Sequence, residues 1–159
     1  MLMHVTKARI NEAEDSCMTN KDLTSFPEIK ETLEMLTSWE ERYGYIMELG
    51  QMLPSLPDDL KREEFKVRGC ASQVWLVPQF TGEKLSWRAD SDALIVKGLT
   101  HMLLSFLAEL DVRDINEENI KEEFGALGLD AHLSAQRANG FSAMIHRVEQ
   151  DIRTHLASE

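Results

Sequence analysis

The sequence predicts an α+β domain in which a small antiparallel sheet packs against helices. A short strand pattern, with apolar residues on both faces, is confined to residues 74–89. Segments with the apolar spacing of helices lie on either side of it in the chain. A chain of 159 residues, 43% of them hydrophobic, suits one globular domain with a single core. We therefore expect a folded domain over residues 24–159 and a flexible, polar tail over residues 1–23.

Two helices are predicted before the strands. Ser25 is followed by a proline and then by a glutamate three residues on, which is the pattern of a capped helix start. Ser38 repeats the cap signature ahead of two glutamates, so a second helix is expected to begin there. Gly50 and Pro54 mark its end.

The middle of the chain is predicted to be an exposed connection followed by a hairpin. Residues 54–69 contain two prolines and a run of charged residues, which favours a connection with at most one helical turn. Residues 74–80 and 85–89 form two antiparallel strands, and Pro78 indicates an edge position. The signal for a third strand, within residues 64–69, is weak.

Three further helices are predicted after the hairpin. The acidic run at 90–92 is expected to cap a central helix, because its aspartates suit a helix N-terminus. The apolar run at 93–110 is interrupted at three positions four residues apart, Lys97, His101 and Ser105. A single polar stripe of this kind is typical of a buried globular helix and not of a membrane span. A short helix is expected to start at Asp114, and a last amphipathic helix at Ser134.

Charge and cysteine content exclude several classes of function. A net charge of −11 without a basic cluster argues against binding to nucleic acid or to anionic membranes. The sequence lacks the glycine-rich motifs of nucleotide-binding loops, and one cysteine in the folded region is too few for a thiolate metal site. We therefore expect no cofactor and no metal. The two cysteines, Cys17 and Cys70, make no disulfide framework and, with the lack of an apolar leader, indicate the cytoplasm.

Cys70 is the candidate reactive residue. It follows Gly69 in a turn-like segment before a strand, where a loop tip would present a thiol. From these residues alone the thiol is either a nucleophile or a small apolar group filling the strand end. Arg68 is a local cation that would lower its pKa. No histidine is near it in sequence to serve as the base of a cysteine hydrolase or peroxidase, and a structural module with an incidental cysteine is the other alternative.

Four stretches of the chain, in the same order, resemble the SufE family of sulfur-acceptor proteins. They are residues 39–54, 69–75, 90–99 and 133–140. The second reads Gly-Cys-Ala-Ser-Gln-Val-Trp and matches the family signature Gly-Cys-x-Ser-x-Val-Trp. The resemblance extends over residues 29–150, and so over nearly the whole chain.

The resemblance implies a role as sulfur acceptor and carrier in iron–sulfur cluster assembly. Cys70 matches the cysteine that takes persulfide sulfur from a pyridoxal-phosphate-dependent cysteine desulfurase, here SufS-like or CsdA-like, and so stimulates the turnover of that enzyme. The sulfur would pass to a SufB-like scaffold complex. This describes an accessory protein, not a stand-alone enzyme, with a compact fold shared with IscU-type scaffolds. A homodimer is left open.

Several residues near Cys70 are candidates for contacts with the cysteine loop or with a partner. They are Arg68, Gly69, Gln73, Asp92 and Arg137. The resemblance implies the roles of the last two, and the residues after the cysteine look more like SufE than like its relative CsdE. Because an exposed persulfide is lost to stray thiols and oxidants, we expect Cys70 to be partly sheltered in the free protein. Its loop would swing out on docking, with Gly69 as hinge.

Overall fold

The computed structural model describes residues 23–81 and 84–157. The helices are α1 Phe26–Met35, α2 Trp39–Met52, α3 Leu94–Leu107, α4 Glu117–Ala126, α5 Leu129–His132 and α6 Ala135–Ala157. The strands are β1 Val74–Thr81 and β2 Lys84–Ser91. They pair as an antiparallel two-stranded sheet, which confirms the α+β prediction. The tail predicted for residues 1–23 lies outside the described residues except for Leu23, which packs against the core.

Serine caps begin the first two helices, as predicted. The hydroxyl oxygen of Ser25 accepts a hydrogen bond from the Glu28 amide at 3.3 Å, and that of Ser38 accepts one from the Glu41 amide at 3.1 Å. Each bond satisfies an amide that has no partner within its helix. Both helices turn their apolar faces inward, where Ile29 and Ile46 are fully buried.

The hairpin is covered on both faces. Residues directly opposite one another in an antiparallel pair share a face, so Leu76 and Ala89 point together into the helical core. The Trp75–Asp90 pair points the other way, and the amide of Leu56 donates a hydrogen bond to the Asp90 carboxylate there at 3.0 Å. The predicted connection therefore lies against the second face. It contains two short 3₁₀ turns, Asp58–Leu60 and Glu63–Phe65.

The predicted cap at residues 90–92 is wrong. Strand β2 continues through Ser91 because that residue pairs with Val74, and helix α3 begins only at Leu94. The residue before α3 is Ala93, which has no capping side chain. The aspartates are thereby released for other contacts.

The weakly predicted third strand is reduced to a single bridge. Lys66 bridges to Trp75, and the amide of Val67 donates to the carbonyl of Val74 at 2.8 Å. The chain then leaves the sheet at once to form the cysteine loop.

Helix α3 is the central core helix, as predicted. Two of the three residues of its polar stripe are buried, since His101 is 0% and Ser105 2% exposed, and Lys97 is partly exposed. The ring Nδ1 of His101 lies 2.7 Å from the carbonyl of Leu49 in α2, and its Nε2 accepts from the amide of Thr24 at 3.0 Å. These two bonds fix the neutral tautomer with the proton on Nδ1. Nowhere in the two described segments is a helix both long and apolar enough to cross a membrane.

The last two predicted helix starts have different outcomes. Asn116, and not Asp114, caps α4, because residues 112–114 form a separate 3₁₀ turn. Ser134 caps α6 as predicted, with its hydroxyl accepting from the amide of Arg137 at 3.2 Å. Helix α6 then runs 23 residues and lies against β1 and the cysteine loop.

Candidate functional site

Residues 68–73 form a loop that presents Cys70 to helix α6. The Val67–Val74 hydrogen bond closes the base of the loop. Gly69 has φ +93°, a left-handed conformation that L side chains rarely adopt. This turn directs the next residue toward α6 and not into solvent. A glycine directly before the cysteine is thus required by the backbone geometry.

The Cys70 thiol is half-buried against α6. Its Sγ donates a hydrogen bond to the carbonyl of Gly140 at 3.4 Å. A Cβ on residue 140 would lie 3.4 Å from Sγ, in van der Waals contact, so a larger side chain at this position would crowd the thiol. Burial raises the pKa of Cys70. In this conformation the thiol is therefore protonated at neutral pH and a weak nucleophile.

Asp92 fastens the end of the cysteine loop. Its carboxylate accepts from the amide of Gln73 at 3.0 Å, and its own amide donates to the Gln73 carbonyl at 3.2 Å. This pair of bonds is available because β2 ends at Ser91, next to the start of β1. The structure thus brings Gly69, Cys70, Gln73 and Asp92 together in one loop and its support.

The two candidate arginines, Arg68 and Arg137, are exposed. Arg68 precedes Cys70 by two residues, and Arg137 lies one turn before Gly140 on the same side of α6. The expectation that Arg68 lowers the pKa of the thiol is not met in this conformation, because the pKa of Cys70 is raised by burial. Both guanidinium groups face solvent, where a partner could meet them.

Sequence reasoning missed the contribution of Asp90. Its carboxylate is almost fully buried and accepts from the amides of Leu56 and Ser91. The ammonium groups of Lys61 and Lys97 each lie 3.5 Å from it. Burial alone would raise the pKa of Asp90, but these hydrogen bonds and charges outweigh burial and lower it. The ionised carboxylate holds the connection before the cysteine loop to the sheet.

Sequence reasoning also missed Arg147 of α6. Its guanidinium donates to the carbonyls of Glu64 and Lys66, in the segment that leads into the loop. No local sequence signal connects an arginine with carbonyls more than 80 positions away. The role of Gly140 could have been predicted from the sequence. A glycine inside a helix lowers helix stability, so its presence there indicates that another group packs closely against the helix.

The described histidines contact groups other than the thiol. His101 bonds to Leu49 and Thr24, His132 stacks on Trp39, His146 approaches Glu117, and His155 packs on Phe80. A groove between the helices is lined by Trp39, Arg42 and His132 and by none of the loop residues. A cysteine hydrolase would need a base and a substrate pocket at Cys70. These contacts give that alternative no support.

One group of metal-type ligands occurs in the described part of the chain. Glu117, His146 and Glu149 have ligand atoms within 4.8 Å of one another. The His146 ring lies 3.1 Å from Glu117, whose amide donates to Glu149, and Lys121 lies 2.5 Å from Glu117. These polar atoms already pair among themselves.

The chain is similar to known proteins over most of its length. The SufE family, whose domain is described as Fe-S metabolism associated, matches residues 27–152. An uncharacterized SufE-like protein of Rhizobium meliloti is 40% identical over 138 residues, which cover 84% of this chain and 99% of the relative. One from Rhizobium etli is 36% identical over 140 residues, with 86% and 95% covered. The solution structure of a hypothetical protein from Thermus thermophilus supports the fold alone, with a TM-score of 0.64 at 20% identity, covering 84% of this chain and 99% of that one. The chain therefore belongs to the SufE family.

Proposed function

We propose that Cys70 is a sulfur acceptor and carrier for iron–sulfur cluster assembly. The Cys70 thiolate attacks the outer sulfur of a persulfide on a pyridoxal-phosphate-dependent cysteine desulfurase. A new S–S bond forms at Cys70, the S–S bond of the donor breaks, and the donor cysteine leaves as a thiolate. The exchange needs no external oxidant or reductant. Removing the sulfur frees the desulfurase for its next turnover, which accounts for stimulation.

The observation that carries the proposal is the half-buried thiol at a loop tip, bonded to a backbone carbonyl. A thiol on a loop can be presented to a partner protein. The described residues around Cys70 include no general base that would activate it for hydrolysis. Sulfur transfer between cysteines suits this arrangement because the donor persulfide provides the reactive bond. Membership of a family associated with Fe-S metabolism supports the same reading.

The resting conformation requires that the loop move before sulfur is transferred. A protonated thiol that faces Gly140 cannot attack a sulfur atom on another protein. We propose that docking on the desulfurase draws the loop away from α6, with Gly69 as the hinge. Leaving the sheltered position restores water to the thiol and lowers its pKa toward the ordinary value. Arg68, Gln73, Asp92 and Arg137 are the candidates for loop or partner contacts.

The proposal includes partners and a place of action. The donor is a SufS-like or CsdA-like desulfurase, and the acceptor is a SufB-like scaffold complex. The residues that follow Cys70 favour the SufE branch over CsdE. Persulfide carriage and cluster assembly are expected in the cytoplasm, where thiols stay reduced.

Intact-protein mass spectrometry tests the proposal. The full chain is incubated with a SufS-type desulfurase and cysteine, and Cys70→Ser and Cys17→Ser are treated in parallel. Wild type and Cys17→Ser should gain the mass of at least one sulfur atom, and a reductant should remove it. Cys70→Ser should gain none. Wild-type protein without added mass, or Cys70→Ser with the full gain, would overturn the assignment.

A further inference from the structure

One face of helix α6 contacts the first part of the cysteine loop and the segment that leads into it. The residues of this face, spaced three and four apart, are Gly140, Ala143 and Arg147. The Gly140 carbonyl accepts from Cys70, and a Cβ built on Gly69 would lie 3.5 Å from the Cβ of Ala143. The third residue reaches the chain just before the loop. The helix therefore supports the loop from the thiol back to the segment that leads into it.

Arg147 binds that leading segment by its backbone. Nη2 lies 2.5 Å from the carbonyl oxygen of Glu64, and Nη1 lies 3.3 Å from that of Lys66. Nε lies 3.4 Å from the Asp151 carboxylate, whose other oxygen accepts from the indole Nε1 of Trp87 at 2.9 Å. The side chains of Arg147 and Asp151 are only 21% and 13% exposed. The guanidinium is thus held in one orientation by the sheet and its own helix.

Apart from Arg147, the leading segment is held by the buried side chain of Val67 and by its short pairing with the sheet. Lys66 makes a single bridge to Trp75 in place of a strand, so the sheet holds the first half of the loop by few hydrogen bonds. Asp92 fastens the second half. The rigid guanidinium of Arg147 adds hydrogen bonds to two backbone carbonyls just before the loop, where the sheet makes few. Without it, residues 64–70 could move away from α6 and take the thiol off the carbonyl of Gly140.

We propose that Arg147, oriented by Asp151 and Trp87, is a positioning residue that keeps the Cys70 thiol in its sheltered place. Arg147 sets how readily the loop moves away from α6. It thereby sets how well the Cys70 thiol is protected between sulfur transfers. The inference rests on the proposed function only for the biological role of the loop movement, which is to present Cys70 for sulfur transfer. The contact itself determines the reactivity of Cys70 in the free protein.

The test is the alkylation rate of Cys70 by iodoacetamide, followed on the Cys70 peptide of the full-length protein across a pH series. Arg147→Gln should react about threefold faster or more at neutral pH, with its profile displaced toward lower pH, because a solvated thiol ionises more easily. Arg147→Lys keeps the positive charge but lacks the planar set of donors of arginine. Its alkylation rate should lie between those of Arg147→Gln and wild type. Arg42→Gln is the matched control, since Arg42 also donates to two carbonyls, those of Leu33 and Leu36. It should react like wild type.

Equal rates and pH profiles in Arg147→Gln and wild type, with normal thermal unfolding in both, would overturn the inference. Should Arg147→Gln fail to fold, Trp87→Phe keeps an aromatic ring while removing the donor to Asp151. A smaller acceleration is then expected, and a wild-type rate would count equally against the inference. The assay contains no desulfurase. It therefore decides the role of Arg147 even if mass spectrometry shows that Cys70 takes no sulfur.

Discussion

The contact between Cys70 and Gly140 sets the resting state of the candidate site. Sγ lies 3.4 Å from the carbonyl oxygen of Gly140, and a Cβ on that residue would also lie 3.4 Å from Sγ. Burial there raises the pKa of the thiol, which protects it from stray oxidants and alkylating agents. The same burial withholds it from a donor persulfide. The Cys70 thiol can therefore be either sheltered against α6 or exposed and reactive, but not both at once.

A bulky side chain at residue 140 should expel the thiol. In Gly140→Val the Cβ would already touch Sγ, and two methyl groups stand on it. We expect Cys70 to be alkylated about threefold faster or more at neutral pH, with its pH profile displaced downward as the thiol becomes solvated. Peptide-level mass spectrometry measures both quantities.

The matched control is Gly44→Val in helix α2. A Cβ at Gly44 meets nothing within 4 Å, so this variant makes the same chemical change in a helix without a steric contact. It should keep the wild-type alkylation profile. If Gly140→Val also kept it, the thiol would not be held in the space that this glycine leaves.

At the scale of elements, His101 joins three parts of the chain. It lies in α3, bonds to the carbonyl of Leu49 in α2, and accepts from the amide of Thr24 just before α1. Burial lowers the pKa of His101, and its hydrogen bond to Leu49 opposes this only in part. A proton on Nε2 would break the bond from Thr24, since that nitrogen must accept. The neutral ring is therefore part of the helix packing.

Stability should fall in weak acid because of this ring. The unfolded histidine titrates near pH 6.5 and the folded one lower, so the unfolded chain binds more protons below about pH 6.5. The contribution of neutral His101 to the free energy of unfolding is complete above about pH 6.5. It is lost as the pH falls from there through the lower pKa of the folded histidine. Denaturant unfolding of wild type should give a smaller free energy at pH 5.5 than at pH 7.5. Asp90 acts below this window, because unfolded aspartate titrates near pH 4.

Two variants separate His101 from other titrating groups. His101→Gln should lose about 1 to 3 kcal/mol at pH 7.5, because buried partners are left unpaired. Its free energy should then differ less than that of wild type between the two pH values. His146→Gln, at an exposed position, should retain the wild-type difference. The same pH dependence in His101→Gln and wild type would assign the effect to another group.

Three helix starts defined by nearby residues were predictable, whereas the start of α3, which depends on distant pairing, was not. The caps at Ser25, Ser38 and Ser134 depend on amides three residues away, so sequence spacing was sufficient. The start of α3 depends on whether β2 continues, which is decided by pairing with Val74. The same non-local pairing frees Asp92 to bind the cysteine loop.

The candidate site divides in the same way. Cys70 and Gly69 were identifiable because the backbone and the thiol chemistry are local. The supports of the loop come from α6 and from the end of β2, and they meet the loop only in the folded chain. Family resemblance pointed to Asp92 and Arg137. It gave no indication of Arg147, whose partners are backbone carbonyls and leave no mark on the sequence at residues 64 and 66.

At the scale of the whole molecule, two exposed arginines lie near the cysteine in the chain or on the supporting helix of an otherwise acidic protein. The net charge is −11; Arg68 is two residues before Cys70, and Arg137 is three residues before Gly140 in α6. Long-range fields alter encounter rates, whereas a cation within a few ångströms alters thiolate stability and partner contact. Substitutions that change the net charge equally but lie at different places can separate the two effects.

Arg68→Glu, Arg137→Glu and Arg153→Glu each change the net charge from −11 to −13. The first two reverse a charge beside the loop, and the third does so at an exposed position near the far end of α6. All three should unfold within about 0.5 kcal/mol of wild type, since surface substitutions cost little. The initial rate of sulfur gain from a desulfurase, followed by mass spectrometry at low partner concentration, should fall about threefold or more only for Arg68→Glu and Arg137→Glu.

Equal slowing in all three variants would assign the effect to the overall field of the molecule. Wild-type rates in the two loop variants would remove both arginines from the partner contact.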